Sequence, residues 1–122
     1  MGTGRILMVV GTECPSEIEE AFNHWYSNKH VPDILKFKGV RKAGRYKILP
    51  PEQTIARATG ETPGEYPPYV ATYEFEDWKA VESYNSWPER QAILRDWNEN
   101  WATKGAKIKW RIFYEPIKTW QK

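Results

Sequence analysis

An α+β fold, with a four-stranded antiparallel sheet and helices on one face, is predicted by three observations. Strand-like and helix-like segments follow one another in the order β-α-β-β-α-β. The first strand, around Ile6 to Val10, is apolar on both sides of its pleat, so both faces of the sheet must be covered there. The first helical segment carries Ile18, Ala21, Phe22, Trp25 and Tyr26 at the spacing of a single buried stripe. At 122 residues, the chain is the size of one domain, and residues 1–122 are read as one.

Each element has its own justification. Residues Arg5 to Thr12 form the first strand. Pro15-Ser16-Glu17 opens the first helix, with Ser16 as N-cap and acidic residues in the first turn. That helix is expected to end at His30, just before the helix-breaking Pro32. Gly39 to Leu49 is the second strand, and Tyr69 to Phe75 the third, alternating Tyr69, Ala71, Tyr73 and Phe75 against Val70, Thr72 and Glu74. Between them, Pro50 to Pro68 is rich in Pro, Gly, Thr and Glu and reads as a long loop, either disordered or functional as a lid or an interface arm.

Asp77 caps a second helix through Trp78, Val81 and Tyr84. Pro88 starts the helix that carries Ile93, Leu94, Trp97 and Trp101. Lys107 to Tyr114 is the fourth strand, with Ile108, Trp110, Ile112 and Tyr114 on one face and Lys107, Lys109 and Arg111 on the other. The order is that of the split βαβ, or ferredoxin-like, arrangement. Its own helices leave one sheet face bare, yet the strands are apolar on both sides. A second copy packing sheet to sheet would cover that face, so a homodimer is expected.

Composition narrows the function classes. The 18 basic and 16 acidic residues nearly cancel, and no zinc-finger or RNP-like motif is present, so no nucleic-acid partner is expected. The apolar run Ile6 to Val10 is too short for a signal peptide or a membrane span, which makes the cytoplasm the expected location and no membrane the expectation. Cys14 is the one cysteine and reads as a small structural residue, not a nucleophile. Seven Trp and seven Tyr are an unusually rich supply and point to an apolar pocket or a subunit interface, or simply fill the core of a small protein.

The stretch of greatest interest runs from Phe22 to Leu35. His30 lies on the edge of the apolar stripe within about 40° of Tyr26, whereas His24 lies roughly 200° from Phe22 on the solvent side. An imidazole titrates near neutrality and can take and return a proton, so His30 is the candidate acid/base, with Tyr26 one turn earlier to orient it or share the transfer. The structural alternative is that His30 caps the last carbonyls of the helix. Tyr46, Tyr73 and Tyr114 could project hydroxyls into a cavity between sheet and helices, or simply pack. Arg45 and Arg111 suit a carboxylate or enolate, or an ordinary solvated ion pair. Asp33 reads as a loop residue. Two histidines on opposite sides of one helix cannot chelate one ion, so no metal is expected.

Helix one with Trp25-Tyr26, then His30-Val31-Pro32, Gly39-Val40 and Arg45-Tyr46, resembles the EthD-like branch of the dimeric α/β barrel superfamily. The resemblance implies a homodimer with a pocket between the sheet and the helices of each subunit. It maps the family's helix-one histidine onto His30, the aromatic neighbours onto Trp25 and Tyr26, and the strand-two arginine onto Arg45. Superfamily members include cofactor-independent oxygenases, polyketide cyclases, muconolactone isomerases and haem-degrading enzymes. Haem is not expected here, because Asp77 to Trp101 contains no histidine where the haem-degrading relatives carry their ligand. The expectation is a cofactor-independent isomerase, cyclase, lyase or oxygenase acting on an apolar aromatic or polyketide-like compound. His30 and Tyr26 would be catalytic, and Trp25, Arg45, Tyr46, Tyr73, Trp87, Trp97 and Tyr114 would contact substrate. The alternative is a non-catalytic ligand-binding or stress-associated protein of the same fold.

Overall fold

In a computed structural model, which describes residues 4–50 and 66–122, four strands form one antiparallel sheet in the order β2-β3-β1-β4. The strands are β1 (Ile6–Glu13), β2 (Val40–Lys47), β3 (Tyr69–Phe75) and β4 (Lys107–Tyr114). The helices are α1 (Glu19–Trp25), a π segment (Tyr26–His30), α2 (Val31–Leu35), α3 (Trp78–Asn85) and α4 (Arg90–Asn100). The element order and fold class are those expected from the sequence. The long loop read at Pro50 to Pro68 falls mostly outside the described residues.

The core lies between the helices and one sheet face. Ile6, Met8 and Val10 of β1 and Ala71, Tyr73 and Phe75 of β3 meet Phe22 and Trp25 of α1, Val81 and Tyr84 of α3, and Ile93 and Trp97 of α4. The strict alternation along β3, buried at every second residue, is what fixes its register. Phe22 touches Trp97 and Trp101 edge-on at 5.8 and 5.6 Å between ring centres. Each aromatic pair of this kind adds about 0.5–1.5 kcal/mol beyond simple burial.

Several local expectations are corrected. Ser16 is not a helix N-cap; Pro15 holds that position ahead of a 3-10 turn, and the Ser16 hydroxyl bonds Glu17 instead. Asp77 does cap α3, accepting the Ala80 N–H at 2.8 Å. Pro32 does not end the first helix. The backbone widens over Tyr26–His30, the Val31 N–H reaching back five residues to the Tyr26 carbonyl, and the helix continues to Leu35. A π turn gives the proline ring room where a regular helix would clash with the carbonyl four residues earlier. His30 is therefore inside a helical run and not at its end, and its ring is not a C-terminal cap.

The faces of β4 also differ from the expected alternation. Thr12 pairs with Ile108 but Gly11 with Trp110, so Lys109 is an extra residue bulged from the strand. Beyond the bulge the parity inverts. Ile108, Arg111 and Phe113 share the helix-covered face, while Trp110, Ile112 and Tyr114 lie on the opposite one. Trp110 and Pro67 close over Gly11 there, a Cβ on which would come within 2.7 Å of the Pro67 ring.

Candidate functional site

Where the helices meet β1, β3 and β4, the chain encloses a cavity of about 70 Å³. Met8, Val10, Tyr73 and Phe75 form its sheet side, and Tyr26, His30, Ile34, Val81, Tyr84, Ile93 and Trp97 its helix side. The exposed members of the lining are Asn85, Ile108, Arg111 and Phe113, which places the mouth between the edge strand β4 and the end of α3. An apolar cavity of about 150 Å³ holds a benzene-sized molecule. This one is smaller than a ring unless side chains at the mouth move.

His30 enters the site from the π segment. Its ring stacks on Trp25 at 4.7 Å between centres and 29° between planes, and meets Tyr26 edge-on at 4.7 Å. Neither ring nitrogen hydrogen-bonds to a described residue. Burial among these rings lowers the imidazole from its ordinary 6.5 to about 4, against the attraction of Asp96 and Asp33 and with a smaller contribution from Arg45 and Lys29. His30 is neutral at pH 7.

The two tyrosines beside it are buried almost completely, Tyr26 at 2% and Tyr73 at 1% exposure. Burial pushes both phenols up, Tyr73 well above the usual range, and the neighbouring Tyr26 adds to the Tyr73 shift. The Tyr73 hydroxyl lies near that of Tyr26 but forms no hydrogen bond of good geometry with it or with any other described group. A buried hydroxyl left unpaired costs about 1–3 kcal/mol. Neutral imidazole and unpaired phenol thus line the same apolar space.

The other sequence candidates are distributed differently. Trp97 lines the cavity. Trp25 stands behind His30 and donates its indole N–H to Asp96 at 3.0 Å, a carboxylate also held by Lys29 and Asn100. Arg45 faces the helices but stays against α1, donating to the Asn23 side chain at 2.9 Å and Ser27 at 2.9 Å while its guanidinium lies 4.3 Å over the Tyr26 ring. Trp87 packs on Phe37 and Tyr84, outside the cavity. Tyr46 and Tyr114, 60% and 54% exposed, lie on the opposite sheet face, because Tyr46 pairs with Val70 and Tyr114 with Leu7. His24 is exposed and shares a contact with Asn28.

Arg111, which the sequence offered with Arg45 for a carboxylate or enolate, lines the cavity, and so does Arg90, which sequence reasoning passed over. Arg111 reaches it only through the β4 bulge. Arg90 leans on the Tyr84 ring, 5.2 Å from its centre. The start of α4 after Pro88 was the available signal for Arg90; no local signal marks the bulge. Burial raises the Cys14 thiol, with Glu19 adding to the effect, which disfavours the thiolate a nucleophile needs. Among the described residues no three metal-ligating side chains converge, and no helix is long and apolar enough to cross a membrane.

Solved structures share this architecture at low sequence identity. HapK from Hahella chejuensis superposes with a TM-score of 0.67 at 10% identity, covering 96% of this chain and 97% of that one. An EthD family protein from Bacillus halodurans gives 0.62 at 17% identity over 93% of this chain and 98% of that one. A DABB family protein with a ferredoxin-like fold from Mesorhizobium loti gives 0.59 at 18% identity over 94% and 99%. The fold is thus the EthD-like, ferredoxin-like one that the Phe22–Tyr46 stretch suggested. No curated protein matches the sequence. A family model matches residues 5–109, and the chain belongs to that family, described as a domain of unknown function (DUF4286).

Proposed function

We propose that the chain is a small enzyme whose own side chains move a proton on an enolisable apolar or aromatic compound held between sheet and helices. His30 takes the proton from carbon, and the Tyr73 and Tyr26 hydroxyls donate to the oxygen on which negative charge develops. The observation that carries this reading is the pairing of an unpartnered neutral imidazole with an unpartnered phenol in one apolar cavity. A cation forming on His30 is costly while the cavity holds no negative charge, and that cost falls as the enolate forms beside it. Such chemistry is that of an isomerase, a cyclase or a lyase, and it needs no cofactor.

The test is the exchange of α-protons of enolisable aryl ketones in D2O, followed by NMR. The protein should accelerate exchange, and His30→Gln should lower the rate by about 10²–10⁴-fold, the usual contribution of a general base. Unchanged exchange in His30→Gln would overturn the assignment. Specific binding without exchange would favour a ligand-binding protein.

We also propose that two copies pair through the sheet face that the helices leave open. Tyr46, Ile112 and Tyr114 are exposed on that face of a single chain, beside the half-buried Val9 and Trp110. Covering such a patch with a second copy removes apolar surface from water on both sides.

A further inference from the structure

The charge of the cavity is one-sided. Two of its lining residues are arginines, and none is an aspartate or glutamate. Arg5, Lys29, Lys36, Arg41 and Lys109 find carboxylates elsewhere on the molecule, but Arg90 and Arg111 form no ion pair with a described residue. The Nε of Arg90 is buried without any hydrogen-bond partner. Arg90 lies 5.2 Å from the centre of the Tyr84 ring and interacts with its hydroxyl, and Arg111 lines the same cavity from β4. Arg111 is exposed and Arg90 half-buried, so both guanidinium groups can turn to a molecule at the mouth, and a guanidinium is shaped to grip a carboxylate through two parallel hydrogen bonds.

We propose that Arg90 and Arg111 form a carboxylate-binding subsite at the mouth of this cavity, so that the ligand is an organic acid with its apolar part inside, against Tyr73 and Trp97. This rests on the reading of the cavity as the functional site and names the class of compound it takes. The apolar part that fits the present volume is a short chain, and a ring requires the mouth to widen past Phe113. The unpaired Tyr73 hydroxyl, buried in the same space, is a second polar group that the protein itself leaves unsatisfied and that a bound molecule would meet.

Paired acids and amides test this. Butyrate and benzoate are titrated against butyramide and benzamide, with the indole signal of Trp97 and the imidazole signals of His30 as reporters. Each acid should bind at least tenfold more tightly than its amide. Arg111→Gln and Arg90→Gln should each reduce that preference at least fivefold, Arg111→Lys should retain part of it, and the exposed Arg95→Gln should leave it unchanged. Equal binding of acid and amide at these reporters overturns the carboxylate subsite while leaving the cavity itself as the binding site. Acids that move neither reporter also overturn the subsite, and the D2O exchange experiment then decides the fate of the cavity reading separately. Sulfate competing as well as butyrate would mean a general anion trap, and would equally overturn the assignment to organic acids.

Discussion

The indole of Trp25 lies almost parallel to the imidazole of His30, 4.7 Å away, while its N–H is anchored to Asp96. One residue thus dries one side of the imidazole and is itself fixed by a carboxylate from α4. Asp96 and Asp33 pull the His30 titration upward, Arg45 and Lys29 push it down, and burial outweighs them all.

Shrinking the indole should therefore release the imidazole. In Trp25→Leu, water reaches the exposed side of the ring, and the His30 midpoint should rise from about 4 toward 6.5, as read by NMR titration of the ring protons. An unchanged His30 midpoint would show that the stack is not what excludes water.

Stability should fall with acid in a window set by His30. Its pKa is depressed in the folded chain, so the unfolded chain takes up the proton first as the pH drops below 6.5. The stabilisation is complete above 6.5 and is lost as the pH falls to about 4. Allowing for solvent at the half-buried ring, the loss is on the order of 2 kcal/mol. Asp33 and Asp96, both depressed by the cations and donors around them, add their own acid sensitivity at lower pH. Urea unfolding of wild type and His30→Gln across this range isolates the His30 part, because the wild type should lose stability relative to the variant between pH 6.5 and 4.

Tyr73→Phe should separate stability from function. It removes a buried hydroxyl that has no partner, so the variant should be equally stable or gain about 1 kcal/mol in thermal or urea unfolding. Any α-proton exchange should fall about tenfold or more with the lost donor. A variant that is destabilised by more than 1 kcal/mol would show that the hydroxyl is satisfied in solution.

Sedimentation should report a particle of twice 14.4 kDa at micromolar concentration. Ile112→Lys, which puts a charge on the open sheet face at its edge strand β4, should give a monomer with its helical signal intact. A wild-type monomer would remove the case for pairing through this face.

Replacing Asp77 by Ala should cost about 1 kcal/mol, because the Ala80 N–H loses its acceptor at the start of α3. Differential unfolding of the two proteins measures this directly.

Much of the fold was legible because it depends on local periodicity. The doubly apolar β1, the alternation of β3 and the stripe of α1 each state which side is buried, and together they leave few ways to arrange four strands and one helical layer. His30 on the edge of the stripe was legible for the same reason, as was its nearness to Tyr26. Tyr46 and Tyr114 were not resolvable, since alternation along a strand gives two faces without saying which one the helices cover.

By itself, then, the sequence determined the order of elements, the face of each helix that is buried and the histidine that lies beside the core. Only the tertiary structure decided the chemistry around that histidine. The π segment that accommodates Pro32 sets where the His30 ring stands, and the bulge at Lys109 turns Arg111 inward and Tyr114 outward. Both are single-residue irregularities whose position depends on what the segment packs or pairs against. Because one inserted residue inverts every later side chain of a strand, a small tertiary adjustment chose which charges line the cavity.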